Sequence, residues 1–129
     1  MDIRRILIDT SILVGYLKRK EKENTVLYNL YQTCEEMCVS AITVFEVFYG
    51  CAPEHAEDMA KLFQGFTIIP FDAEVARIAS QEYRRLKLQQ EVVEVQELVI
   101  GATAIAKNIP LATLNTELFK HFSNIKIVF

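Results

Sequence analysis

Three acidic residues lie in surroundings that are more apolar than those of an ordinary surface acid. Asp9 directly follows a short apolar run, Glu46 has apolar neighbours on both sides, and Glu97 opens another apolar run. A buried carboxylate without a partner is costly and would take up a proton instead of staying charged. A ligand set made only of oxygens suits Mg²⁺ or Mn²⁺ and not zinc. If the three side chains converge, the sequence predicts a divalent-metal site formed by Asp9, Glu46 and Glu97.

Each acid also has a simpler interpretation that the sequence leaves open. Asp9 and Glu97 both stand where a helix is expected to begin, and an acid there is stabilised by free backbone N–H groups and by the helix dipole. Glu46 falls on a helix that reads as largely buried, and no Arg or Lys lies near it in the sequence. It is the combination of three such acids that favours the metal site.

The elements that must position these acids alternate between short strands and helices. Apolar or β-branched runs predict five strands, at 6–8, 38–39, 66–69, 111–113 and 125–129. Apolar residues at helical spacing predict helices between them, with Ser40 and Asp72 placed to cap two of these helices. The alternation predicts an α/β fold, a three-layer sandwich with a central, mainly parallel five-strand sheet. Sites in such sheets form beyond the carboxyl ends of the strands, where Asp9 and the residues after Thr113 would lie.

The composition suits one compact domain. The 129 residues are 51% hydrophobic and 24% charged, which predicts a single domain over residues 1–129. No apolar run approaches the roughly 18 residues of a membrane span. The start also lacks the features of a signal peptide, so we expect a cytoplasmic protein with no membrane contact. Three cysteines, an odd count without a CxxC pair, predict ordinary apolar packing.

The charge gives no global sign of a nucleic-acid-binding protein. The net charge is −3 and the isoelectric point is about 5.4, although a cluster of metal-binding acids would itself lower the formal charge. Basic residues occur in two short runs, Lys18-Arg19-Lys20 with Lys22 and Arg84-Arg85 with Lys87. Each run taken alone is typical of solvated helix ends and faces.

Four ordered segments of the chain carry a family resemblance. They are ILIDTS at 6–11, TVFEVFYG at 43–50, ELVIGATA at 97–104 and LATLN at 111–115. In order, spacing and chain length, these segments resemble the PIN-domain nucleases, and among them the VapC-type toxins of toxin–antitoxin pairs. The resemblance covers essentially the whole chain. It implies a PIN-like sandwich, a Mg²⁺-dependent endoribonuclease in which Mn²⁺ can substitute, a homodimer and a cognate antitoxin protein.

The resemblance also assigns roles to individual residues. Asp9 and Glu46 match the first and second acids of the family, whereas Glu97 stands where the family usually has Asp. Asn115 stands where many members have a fourth acid; Glu117 is adjacent, and Leu118 replaces the Asp that other members have there. Three further residues, Thr10, Ser11 and Thr113, are candidates for orienting the ligands or a water molecule, and their alternative role is capping and turn formation. Neither His55 nor His121 belongs to any of the segments, so we expect both to be surface residues.

Two other functions remain open from the sequence. A haloacid-dehalogenase-like phosphohydrolase also begins with an apolar strand that ends in Asp, but it needs a second Asp two residues later, where this chain has Ser11. A PIN fold that binds RNA or protein without turnover is the alternative that the departures at Glu97 and Asn115 leave open.

The early helices contain more large apolar residues than one sheet face needs. These residues are Val14, Tyr16, Leu17, Val26, Leu27, Leu30 and Tyr31. Part of this surface is expected to be exposed unless another chain covers it. The resemblance places antitoxin contacts here and dimer contacts near Met59, Leu62 and Phe63, with a basic-rimmed groove leading to the acids.

Overall fold

Four parallel strands form the central sheet of the structure, a computed structural model that describes residues 4–128. The strands are β1 (Arg5–Ile8), β2 (Glu36–Ser40), β3 (Thr67–Ile69) and β4 (Leu111–Ala112). Their order across the sheet is β3-β2-β1-β4, and every pairing is parallel. The carboxyl ends of β1 and β4 are therefore neighbours at one edge of the sheet, as the expected fold requires.

The prediction of a fifth strand at 125–129 was wrong. Ile127 forms only an isolated parallel bridge with Leu111. Two backbone hydrogen bonds hold this segment, from Leu111 N–H to the Lys126 carbonyl at 2.8 Å and from Val128 N–H to the Leu111 carbonyl at 2.9 Å. Because β4 is only two residues long, it supports a single bridge and no continuous ladder. Phe129, the last residue of the predicted strand, lies outside the described residues.

Helices surround the sheet between the strands. They are α1 (Thr10–Lys18), α2 (Val26–Thr33), α3 (Ala41–Gly50), α4 (Ala56–Phe63), α5 (Ala73–Leu88), α6 (Val95–Lys107) and α7 (Thr116–Phe119), with 3₁₀ turns at Lys22–Asn24 and Pro53–His55. The two predicted caps are confirmed, since Ser40 Oγ accepts the Ile42 N–H and Asp72 Oδ1 accepts the Val75 N–H. Within residues 4–128, no helix combines the length and the apolar character that crossing a membrane would require.

The two faces of the sheet carry separate hydrophobic clusters. In β1, Leu7 packs with α5 and α6 on one face, whereas Ile6 and Ile8 pack with α1 and α2 on the other. All three side chains are fully buried, and each contributes about 1.5–3 kcal/mol by leaving water. This alternation follows from the two-residue period of a strand and gives the predicted three-layer sandwich.

Helix α3 is more exposed than its sequence predicts. Phe45, Phe48 and Tyr49 are 58%, 37% and 81% exposed, and Glu46 between them is only half-buried. The prediction of a largely buried helix was therefore wrong. The helix contributes Ile42, Val44 and Val47 to the two clusters and leaves its other side uncovered.

The segment after α7 is tied to the two helices of the first face. The buried carboxylate of Glu82 accepts the Ser123 N–H at 2.7 Å and pairs with Arg85 at 3.0 Å, while Arg85 also donates to the His121 carbonyl. Burial acts to raise the pKa of Glu82, but the hydrogen bonds from Arg85 and Ser123 outweigh it and leave that pKa lowered. These contacts seat Phe122 against α6, the helix whose first turn carries Glu97.

Candidate metal centre

Asp9 lies at the carboxyl end of β1 and is 5% exposed. Its backbone N–H donates to the Ala112 carbonyl at 3.0 Å, which ties it to β4. Its side chain makes no capping bond to α1. Instead, Oδ2 accepts hydrogen bonds from Ser11 Oγ and Thr113 Oγ1, both at 2.7 Å. Asp9 stands at the N-cap position of α1, but its carboxylate accepts from hydroxyl groups, so the expected hydrogen bonds to the helix N–H groups are not formed.

Glu46 reaches the same region from α3, which begins directly after β2. Its Oε1 accepts a hydrogen bond from Thr10 Oγ1 at 2.8 Å. The Thr10 hydroxyl also lies 3.0 Å from Thr43 Oγ1, one helical turn before Glu46. Because Thr10 follows Asp9 in the chain, this contact brings the second acid beside the first.

Glu97 reaches the region from the first turn of α6. Its Oε1 accepts the Glu94 backbone N–H at 3.2 Å, so the simpler interpretation as a helix-start acid holds for one oxygen. Its Oε2 accepts a hydrogen bond from Asn115 Nδ2 at 3.2 Å. The Asn115 backbone N–H in turn donates to Thr113 Oγ1 at 2.9 Å. Glu97 is thus connected to Asp9 through Asn115 and Thr113.

All seven residues singled out in the sequence lie in two hydrogen-bonded groups, which adjoin where Thr10 follows Asp9 in the chain, and together we call them the acid network. It consists of Asp9, Glu46 and Glu97 with Thr10, Ser11, Thr113 and Asn115. Asp9 and Thr113, which are hydrogen-bonded to each other, are 104 residues apart in the chain. Four segments that are distant in sequence therefore converge at one edge of the sheet.

No protein cation neutralises the acid network within residues 4–128. The ion pairs found there involve Glu36, Asp72, Glu74, Glu82, Glu91 and Glu117. In the same part of the chain, no three His, Cys, Asp or Glu side chains are close enough to hold a metal ion as they stand. Hydroxyl and amide groups lie between the three carboxylates. The donor set is nonetheless all oxygen, which suits a hard divalent cation.

The residues near the missing fourth acid do not replace it. Glu117 pairs with Lys120 at 2.6 Å on the surface, and the hydrogen bond from Lys120 lowers the pKa of Glu117. His55 is exposed, and His121 lies 3.6 Å from Glu91, away from the acid network. The amide of Asn115 therefore occupies the fourth position, with its Nδ2 directed at Glu97.

Replacing Asn115 by Asp should tighten the binding of Mn²⁺. The change puts a second negative oxygen beside Glu97 and removes the amide that occupies one of its oxygens. Calorimetric titration of Mn²⁺ into the wild type and Asn115→Asp would measure the change, with Asn29→Asp on the exposed side of α2 as a control that adds the same charge. An affinity that is unchanged or weaker would mean that Asn115 does not face the cation.

Sequence reasoning missed two contributors to the acid network. Thr43 is fully buried and lies three residues before Glu46 on α3, so helical spacing could have found it. The Leu114 backbone N–H donates to Ser11 Oγ at 3.1 Å. No side-chain pattern signals this contact, because it depends on the turn that follows β4.

Comparison with known proteins gives consistent matches over nearly the whole chain. A family model described as PIN domain matches residues 6–125. A relative named Ribonuclease VapC1 from Methanocaldococcus jannaschii is 32% identical over 123 residues, which cover 95% of this chain and 82% of that protein.

Solved structures match at the same coverage. The DNA-bound VapBC complex of Salmonella typhimurium contains a chain that superposes with a TM-score of 0.84 at 22% identity, covering 97% of each chain. FitAcB from Neisseria gonorrhoeae gives a TM-score of 0.78 at 25% identity, covering 95% of each chain. The match to the Salmonella typhimurium complex supports the fold alone, since its sequence identity is only 22%.

Proposed function

The chain belongs to the PIN domain family, and from this membership and the acid network we propose that it is a Mg²⁺- or Mn²⁺-dependent ribonuclease. The observation that supports the proposal is that Asp9, Glu46 and Glu97 each accept a hydrogen bond from a member of the acid network and form no ion pair with a cation of residues 4–128. Residues 1–129 form one such domain. The reaction is hydrolysis of an RNA phosphodiester to a 5′-phosphate and a 3′-hydroxyl.

The three carboxylates would hold the cation. When bound, a divalent cation promotes loss of a proton from water and neutralises the charge that develops on the phosphate. Mg²⁺ needs only one or two protein carboxylates and completes its shell with water and phosphate oxygens. The longer Glu97 and the amide at position 115 are compatible with that requirement. Binding the cation would require the carboxylates to exchange hydroxyl and amide contacts for contacts with the cation.

The neutral members of the acid network position the acids. Ser11 and Thr113 both donate to the same oxygen of Asp9, which leaves Oδ1 without a hydrogen bond from the described residues. Thr10 orients Glu46, and Asn115 orients Glu97. Since each hydroxyl of Ser11 and Thr113 also accepts a backbone N–H, its direction is fixed before any ligand arrives.

The chain acts as the toxin of a toxin–antitoxin pair in this proposal. Support comes from the relatives, which are named Ribonuclease VapC, and from the solved complexes named VapBC. The early helices carry an apolar groove of about 280 Å³, lined by Tyr16, Leu27, Tyr28, Tyr31, Met37, Leu62, Gly65 and Phe66. An apolar segment of the antitoxin would cover this groove.

A homodimer is also proposed, and the surface considered for its contacts is formed by α3 and α4. Phe63 is 5% exposed and packs against Phe48 and Phe66, while Met59 and Leu62 are half-buried against the same cluster. Of the three residues near which dimer contacts are expected, Met59 and Leu62 keep part of their surface exposed, whereas Phe63 is buried. The exposed side of α3 is the apolar surface that a second copy would cover.

Cleavage of single-stranded RNA should require a divalent cation. We expect cleavage with Mg²⁺ or Mn²⁺ and a return to the background rate when EDTA is added, because the carboxylates cannot by themselves neutralise the transition state. Readdition of Mn²⁺ in excess should restore the rate. Cleavage that persists in EDTA would contradict the proposal, and RNA binding without cleavage in saturating Mn²⁺ would favour a PIN-fold binding module.

A further inference from the structure

A second cavity of about 350 Å³ lies between α1 and the start of α2, with Leu114 from the turn after β4 at its border. Its lining includes the apolar residues Ile12, Val26 and Leu114, together with Gly15, Lys18 and Arg19. The volume falls at the lower end of the range for small-molecule sites. The floor is apolar, and the rim carries two cations. These features are complementary to a nucleotide, whose base has apolar faces and whose phosphate is negatively charged.

Two hydrogen bonds connect the border of this cavity to the acid network. Leu114 donates its backbone N–H to Ser11 Oγ, and Ser11 donates to Asp9. The Leu114 side chain then reaches α1, where its Cδ1 lies 3.7 Å from the place that a Cβ on Gly15 would occupy. The wall of the cavity therefore begins one residue away from the candidate metal centre.

Lys18 and Arg19 at the rim carry their charge without a protein partner. Neither forms an ion pair with an acid of residues 4–128, and both are exposed. The nearby Lys22 is different, because its Nζ donates to the carbonyls of Tyr16 and Leu17 and thus ends α1. Lys20 of this run is also exposed and forms no ion pair with the described acids, but of these three residues only Lys18 and Arg19 line the cavity.

Helix α1 places these cations in line with the acids. Ser11, Gly15 and Lys18 recur at spacings of four and three residues and so share one face of the helix. Lys18 lies about 10 Å along the axis from Ser11, at 1.5 Å per residue. Gly15 lies between them without a side chain, which keeps the cavity open along that face. An RNA strand held at the acids would pass this face next.

We infer that this cavity binds the nucleotide of single-stranded RNA that flanks the cleaved bond, with Lys18 and Arg19 pairing with its backbone phosphates and the apolar floor contacting its base. The inference rests on the proposed ribonuclease function for the identity of the ligand. It assigns a binding role to basic residues in a protein whose net charge of −3 gives no overall attraction for RNA.

The test compares two double variants with the same loss of charge. Lys18→Gln with Arg19→Gln removes the rim cations, whereas Arg77→Gln with Arg84→Gln removes two exposed cations from α5 on the opposite face of the sheet. Binding of a fluorescent single-stranded RNA is measured by anisotropy without divalent metal, across a series of salt concentrations. The rim variant should bind roughly tenfold more weakly, and its plot of log K against log salt should be shallower by roughly 1.4, or about 0.7 for each lost phosphate contact.

A third variant separates the cavity from the charge. Gly15→Gln fills the cavity while keeping Lys18 and Arg19, so it should weaken RNA binding without changing the salt slope. If the rim variant and the α5 variant have equal affinities and slopes, the inference is wrong. Failure of the wild type to cleave RNA in Mn²⁺ would contradict the proposed function, but the metal-free binding series would still decide whether the cavity binds RNA.

Discussion

Replacing Asp9 by Asn should reduce the rate of RNA cleavage by roughly 10²-fold or more. Loss of a group that only orients a metal ligand costs about 10–100-fold, and Asp9 would be a ligand itself. It is also the most buried of the three acids and the one on which two hydroxyl groups converge. The substitution removes one negative charge and leaves the shape nearly unchanged, so the amide oxygen can still accept from Ser11 and Thr113.

The matched control for Asp9→Asn is the variant Asp58→Asn, which removes the same charge from the exposed first turn of α4. Initial rates are measured in Mn²⁺ at saturating RNA, and circular dichroism checks that both variants fold. Asp58→Asn should retain the wild-type rate. An Asp9→Asn protein that folds and cleaves at more than about a tenth of the wild-type rate would exclude Asp9 as a metal ligand.

Replacing Gly101 by Ala should destabilise the fold by about 1–3 kcal/mol, the usual cost of overpacking a core. A Cβ on Gly101 would lie 2.3 Å from Phe122 Cε2 and within 2.8 Å of two further atoms of the same ring. The ring cannot simply move aside, since Phe122 is 5% exposed and packs on Phe119 with the ring centroids 5.4 Å apart. This cost should exceed the gain of up to about 1 kcal/mol that Ala brings to a helix interior.

Gly50→Ala is the matched control, because nothing lies within 4 Å of a Cβ at that position. Urea titrations should show Gly50→Ala at or slightly above the stability of the wild type and Gly101→Ala below it. A Gly101→Ala protein as stable as the wild type would mean that Phe122 is not seated against α6. If Gly101→Ala is destabilised as expected, it should also lose RNA cleavage, since Gly101 and Glu97 lie on the same helix, α6.

The sequence predicts most of the fold because the strands here are short, apolar and separated by clear helix signals. Ile6, Leu7 and Ile8 are buried as expected, and the caps at Ser40 and Asp72 are where their side-chain chemistry places them. The fifth strand was predicted wrongly at 125–129, because strand propensity does not reveal whether the neighbouring strand is long enough to pair with this segment. Only tertiary structure shows that β4 ends after two residues.

The acid network was only partly predictable for a related reason. Asp9, Glu46 and Glu97 could be named from their apolar neighbours and from the family resemblance. The exposure of α3 could not be predicted, because large aromatic residues such as Phe45 and Tyr49 are usually buried, whereas here both are exposed. The partners of each carboxylate were also hidden, since the hydrogen bond between Thr113 and Asp9 joins residues 104 positions apart.

The most direct test of the central claim is an anomalous difference map from a crystal soaked in Mn²⁺. The account predicts one peak beside the carboxylates of Asp9, Glu46 and Glu97, with at least two of them contributing an oxygen at roughly the 2.0–2.6 Å of such bonds. The same soak of Asp9→Asn should give a weaker peak or none. A peak bound elsewhere on the protein, or none beside these acids at a Mn²⁺ concentration that supports cleavage, would contradict the assignment of this metal centre.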